Sequence, residues 1–188
     1  MGFSAGGHLV ADVSTNYRKR AYAVMDEIDG VSCKPNFGVA MYPGHMTFHT
    51  TKPYELNNTL PVDSATSPMF ILQAGNDPID TIQNSLVCYI ALKKAGVPAE
   101  YHIYAEGGHA FGLNKSAQKI SDWEKLPVAG WEELVERWLQ TIKMTSVGYA
   151  KNLTANIGFA SGADGILSPN LHKALPPGTS DSPGYRRN

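Results

Sequence analysis

The sequence predicts an α/β fold built on a parallel sheet, and three observations carry that reading. Apolar runs of strand length, FGVAMY at 37–42 and MFILQA at 69–74, are continuous rather than alternating, as in strands buried on both faces. Segments of helical period stand before, between and after the strands, at about 8–20, 80–95 and 131–142. Helices alternating with strands place right-handed βαβ units on one sheet.

The first helix, from His8 to about Arg20, rests on Leu9, Val10 and Val13. A charged connector leads to strand 37–42, which follows Pro35 and stops at Pro43-Gly44. The segment 44–67, rich in Thr, Pro and Asn, reads as a surface excursion that shapes one wall of a site. Strand 69–74 follows Pro68 and ends in the turn cluster Gly75-Asn76-Asp77-Pro78. Helix 80–95 carries Ile82, Leu86 and Ile90 at four-residue spacing, with Val87 beside them and Lys93-Lys94 in its last turn. Asp80 with Gln83 forms a variant capping box at its start, and Gly96 with Pro98 stops it. A third strand, 100–104, closes on Glu106-Gly107-Gly108-His109. The last helix, 131–142, is amphipathic through Leu134, Val135, Trp138, Leu139 and Ile142; Trp123, Trp131 and Trp138 are expected to pack it onto the sheet. From Thr145 onward six Gly, four Pro and five Ser separate scattered apolar residues, so the chain divides into an ordered domain over 1–144 and a flexible tail over 145–188.

Composition narrows the function. Sixteen basic residues against seventeen acidic ones, with no basic block, leave no electrostatic footprint for nucleic acid or an anionic membrane surface. No run approaches the roughly 18–20 apolar residues of a spanning helix. The opening MGFSAGGHLV lacks the basic-then-apolar order of a signal peptide, and the compartment stays open. Cys33 and Cys88 are too few for a disulfide framework, and both read as small buried apolar residues. His45 and His49 stand four apart in a Pro-Gly loop with no glutamate between them, which does not read as a metal site. His102 reads as a strand residue and His8 as a polar residue at a helix start.

The opening Gly2-Phe3-Ser4-Ala5-Gly6 is a G-x-S-x-G running into a helix. A nucleophile on a sharp strand-to-helix turn sits in a strained backbone, flanking glycines relieve the clashes, and the turn pushes the Ser4 hydroxyl out of the sheet. The Ala5 N–H, at a helix N-terminus, then faces the position where an oxyanion develops. A serine hydroxyl needs a base to take its proton, and the base needs an acid group to hold its tautomer. Asp77 and His109 follow the second and third strands, at the same edge of a parallel sheet as Ser4. Asp80 and Glu106 are rival acids. Asp80 already serves as helix cap and Glu106 lies only three residues before His109, so Asp77 is preferred.

The stretches GFSAGGHL, PMFILQAGNDPIDTIQNSLVCYIALKKAGVPAEYHIYAEGGHAFGL and WEELVERWLQTI resemble the acetyl esterase or acetylxylan-esterase-like branch of the α/β-hydrolase superfamily, over roughly residues 1–144. The resemblance implies a serine carboxylesterase acting on small acyl esters such as acetylated sugars. Its nucleophile matches Ser4, its acid Asp77 and its base His109, with no cofactor or metal. By that measure the chain, opening one residue before the elbow, is expected to hold only the C-terminal portion of an α/β-hydrolase-type parallel sheet with flanking helices, about a hundred residues being absent upstream. The family's H-G-G motif, which supplies a second oxyanion donor, does not occur in the sequence, and Ala5 is what the chain holds of that hole. Two alternatives stay open: a serine peptidase of prolyl-oligopeptidase type, and a catalytically silent hydrolase-like fragment. The expected partner is a small-molecule ester, with self-association through an exposed sheet edge as a second expectation.

Overall fold

In the computed structural model, residues 1–48, 51–112 and 125–145 are described, all within the unit Met1–Ala150. Their order is β1 (Gly2–Phe3), α1 (Ala5–Asn16), β2 (Gly38–Met41), β3 (Thr47–Phe48), β4 (Lys52–Leu56), β5 (Met69–Ala74), α2 (Ile82–Lys94), β6 (Ala99–Tyr104) and α3 (Trp131–Thr141). A 3₁₀ turn at Glu27–Gly30, capped by the Asp26 side chain, interrupts the charged connector.

The continuous apolar runs became central strands because both of their faces are covered. The sheet order is β1-β2-β5-β6, all parallel, with Phe3 opposite Met41, Ala40 opposite Ile71 and Ile71 opposite Tyr101. Every residue of β2 and β5 is buried. Their side chains alternate between two cores. Ala40, Met69 and Ile71 join Ala11 of α1 and Val87, Cys88 and Leu92 of α2. Val39, Met41, Phe70 and Leu72 join Trp131 and Trp138 of α3. Helices on both faces of a parallel sheet are the α/β architecture that the alternating pattern predicts. Trp138 packs on Phe70 and Phe37 as expected, whereas Trp123 lies outside the described residues, as do His49 and the tail from 146 on.

Four expectations change in three dimensions. The excursion 44–67 contains an antiparallel hairpin, β3 with β4, and buries Met46 and Leu60 against α2. The Asn84 amide oxygen of α2 accepts from Met46 and Thr47 N–H, which ties the hairpin down. The buried face of α2 carries Asn84, Ser85, Val87, Cys88 and Leu92, while Ile90 is 41% exposed, because the helix must cover both the sheet and the hairpin. The cap of α2 is Thr81, with no side-chain hydrogen bond, so the Asp80–Gln83 capping box does not form. α1 begins at Ala5, three residues before the expected start, and ends at Asn16.

The two cysteines also part company. Cys88 is buried as expected, and burial pushes its thiol up to about 12; Cys33 is exposed in the connector, against expectation. Thiolate is the reactive form. In the folded chain near about pH 8, iodoacetamide is therefore expected to alkylate Cys33 and spare Cys88, and peptide mass spectrometry reads the result. Equal alkylation of both thiols without denaturant would contradict the packing of α2.

Candidate active site

The turn at Ser4 follows from what stands on either side of it. Phe3 pairs with Met41, and the Ser4 N–H donates to the Met41 carbonyl at 2.9 Å, completing the strand. At Ser4 the backbone swings to φ 53° and ψ −119°, and α1 starts at the next residue, with Gly7 and His8 N–H donating to the Ser4 carbonyl. A non-glycine residue held there stores about 1–3 kcal/mol of strain, which its surroundings must hold. Gly2 makes the turn possible, since a Cβ on it would lie 2.1 Å from the Gly6 carbonyl oxygen. Gly7 lets α1 sit on β2, with a Cβ there 3.1 Å from the Met41 carbonyl oxygen and from Pro43. A Cβ on Gly6 would meet nothing within 4 Å, so the second glycine of the G-x-S-x-G relieves no clash of its own.

Asp77 stands in the turn after β5, and its carboxylate is held from four directions. Oδ1 accepts from Ile79 and Asp80 N–H at 2.9 and 3.0 Å, and Oδ2 accepts from Gln73 Nε2 at 2.9 Å. The fourth partner is His109 Nδ1, 2.8 Å from Oδ2. His109 Nε2 lies 2.9 Å from Ser4 Oγ, so the three side chains expected to act together form one hydrogen-bonded line from loops at one edge of the sheet. Asn76 joins the loops, its side-chain oxygen accepting from Gly107 and Gly108 N–H at 3.0 and 2.8 Å. The Tyr42 ring meets the imidazole edge-on at a centroid distance of 5.0 Å. Burial raises the Tyr42 phenol above the ordinary tyrosine range, and its oxygen accepts from Gly112 N–H, so it packs as a neutral wall. Ala5 opens α1, which puts its N–H in the positively polarised first turn, next to Ser4.

Of the rival acids, Asp80 reaches the site and Glu106 does not pair with His109. Glu106 is exposed, and the structure pairs His109 with Asp77 instead. Asp80, freed from the helix cap, turns inward, with Oδ2 3.5 Å from Ser4 Oγ and 3.9 Å from His109 Nε2. His102 pairs with Glu100 and stacks on Phe70, away from Ser4. His8 and His45 meet edge-to-face at 6.0 Å. Tyr42, Gln73 and Asn76 were missed from the sequence. Gln73 carried a signal, as the one polar residue in a buried strand, where an amide needs a partner. Tyr42 carried none.

The model of the prolyl oligopeptidase family matches residues 1–128, more than half of the chain. The chain belongs to this family. Among relatives of this prolyl oligopeptidase family member, an acetylxylan esterase from Xylanibacter ruminicola is 24% identical over 196 residues, covering 89% of this chain and 38% of that protein. An acetyl ester-xyloside bifunctional hydrolase from Caldicellulosiruptor lactoaceticus superposes with a TM-score of 0.62 at 30% identity, covering 77% of this chain and 56% of that one. An α/β hydrolase from a Medee basin deep-sea metagenome library superposes with a TM-score of 0.51 at 26% identity, over 75% and 52%. The fold of this family member is thus that of the α/β hydrolases. The chain spans between about two fifths and just over half of the length of these relatives.

Proposed function

We propose that the chain is a serine esterase that hydrolyses small acyl esters, acetyl esters of carbohydrate alcohols first among them. The observation that carries this reading is the line from Ser4 Oγ to His109 Nε2 at 2.9 Å and from His109 Nδ1 to Asp77 at 2.8 Å. Ser4 Oγ attacks the ester carbonyl while His109 Nε2 takes its proton; the Nε2–H then passes to the departing alkoxide oxygen, leaving an acyl-enzyme and a free alcohol. Water, deprotonated by the same nitrogen, attacks the acyl carbonyl and returns Ser4 to its hydroxyl form. Asp77 keeps the Nδ1–H tautomer and stabilises the imidazolium, and the Ala5 N–H donates to the oxyanion. The relatives that act as an acetylxylan esterase and as an acetyl ester-xyloside bifunctional hydrolase support an acetylated sugar as the substrate.

Mixing the 188-residue chain with p-nitrophenyl acetate is expected to release a stoichiometric burst of nitrophenolate and leave an acetyl group on the peptide bearing Ser4. Turnover without a burst and without acetyl-Ser4 would count against the acyl-enzyme. The family description also admits a peptidase. Matched ester and anilide substrates separate the two readings, and preferential anilide cleavage would favour the peptidase.

A further inference from the structure

Asp77 and Asp80 differ in how far the protein satisfies them. Asp77 has four donors within 3.0 Å. The Asp80 backbone is equally fixed, its N–H on Asp77 and its carbonyl on Gln73, yet among the described residues its carboxylate receives a single hydrogen bond, from Ser4 Oγ at the long distance of 3.5 Å. The residue is only 7% exposed, and His109 Nε2 stands 3.9 Å from its carboxylate. A carboxylate that buried needs donors. Gly44 packs directly against it, since a Cβ on Gly44 would lie 2.3 Å from Asp80 Oδ1, so the carboxylate cannot turn away on that side.

The position of the unmet acceptor says which part of a substrate would meet it. His109 Nε2 must hydrogen-bond the leaving oxygen in order to protonate it. Asp80 Oδ2 lies 3.9 Å from that nitrogen and 3.5 Å from Ser4 Oγ, beside the two atoms that handle the leaving oxygen. A hydroxyl on the carbon next to the ester-bearing carbon follows the leaving oxygen across one C–C bond, so it stays near the groups that flank that oxygen. We infer that Asp80 is a specificity-determining residue that accepts a hydrogen bond from this vicinal hydroxyl, selecting monoesters of vicinal diols and polyols over esters of plain alcohols. The inference rests on the esterase reading of Ser4 and His109. It adds to that reading a chemical class for the alcohol and a residue that recognises it. A site built to bind a hydroxyl discriminates strongly against an analogue that lacks it, because its buried acceptor is then left unpaired.

The test compares 2-hydroxyethyl acetate with propyl acetate, which differ by a hydroxyl in place of a methyl group, on the 188-residue chain and on Asp80→Ala, Asp80→Asn and Gly44→Ala. The native chain is expected to favour the hydroxy ester in kcat/KM. Asp80→Ala is expected to cut that ratio at least about tenfold, mainly through KM for the hydroxy ester, as loss of one pairing at a hydroxyl-reading site should. Asp80→Asn, which keeps a carbonyl acceptor, falls in between. Gly44→Ala displaces the carboxylate without removing it and should lower the ratio in the same direction, and with Asp80→Asn it decides the matter if Asp80→Ala does not fold. An equal loss on both esters would assign Asp80 to the electrostatics of His109 and overturn the inference, as would a native chain indifferent to the hydroxyl. Absence of acetyl-Ser4 after p-nitrophenyl acetate treatment of the native chain overturns the esterase reading and the inference with it; acetyl-Ser4 with an unchanged ratio overturns the inference alone.

Discussion

Ser4→Ala is expected to lower kcat on p-nitrophenyl acetate by a factor on the order of 10⁶, and Asp77→Asn by about 10⁴. In the proposed mechanism the first variant removes the atom that forms the acyl bond. The second keeps the size of the side chain and, through its amide oxygen, the hydrogen bonds from Ile79 and Asp80 N–H, but its NH2 group cannot accept from Gln73 Nε2, and it takes the charge from His109 Nδ1 and lets the imidazole settle in the wrong tautomer. In the proposed mechanism the three side chains act as one relay, so His109→Ala combined with Ser4→Ala should cost little more than Ser4→Ala alone. Circular dichroism and thermal melts of the variants guard against loss of fold. A mild effect at Asp77 beside a severe one at Asp80 would show that the acid had been assigned to the wrong carboxylate, since Asp80 Oδ2 stands only 3.9 Å from the other ring nitrogen.

Gly2→Ala is expected to destabilise the chain by more than about 4 kcal/mol, the range of mutations that break a packed backbone. The new methyl would lie 2.1 Å from the Gly6 carbonyl oxygen and 2.4 Å from its carbon, and neither backbone atom can move without pulling α1 off the sheet. At this chain length a loss of that size lowers Tm by about 8 °C or more. Gly6→Ala, in the first turn of α1 with open space around its Cα, should instead gain about 0.5–1 kcal/mol, since alanine loses less backbone freedom in a helix. Differential scanning fluorimetry of the two variants reads the contrast. Melting points that move together would mean that the elbow is not packed as described.

The elements best read from the sequence were those whose local signals agreed. MFILQA between Pro68 and Gly75-Asn76 gave β5 at its observed limits, because a continuous apolar run bounded by turn residues has few other ways to be buried. Gly96, at φ 75°, ends α2 as its position suggested, with the Gly96 and Val97 N–H groups closing the last turn. The α2 stripe was misread. Spacing chose Ile82, Leu86 and Ile90 with Val87 beside them; of these Val87 is buried, but a helix wedged between a sheet and a hairpin buries Cys88 and Leu92 with it, together with the polar Asn84 and Ser85. The hairpin escaped notice because Thr47–Phe48 and Lys52–Leu56 are short and carry no clean alternation.

By itself the sequence determined the chain order of the chemistry: a serine in a glycine-rich turn at the head of a helix, an aspartate after one buried strand and a histidine after the next, all at one edge of a parallel sheet. Those are consequences of local propensity and of the handedness of βαβ units. Only the tertiary structure decided the distances. It separated Asp77 from Asp80 by giving one carboxylate four donors and turning the other toward Ser4, and it brought in Tyr42, Gln73 and Asn76 as supports. The physical reason is that burial and hydrogen-bond satisfaction depend on which groups the fold brings together, and His109, Ser4 and the Gly107–Gly108 loop reach their partners across 31 to 105 residues of chain, which no local pattern records.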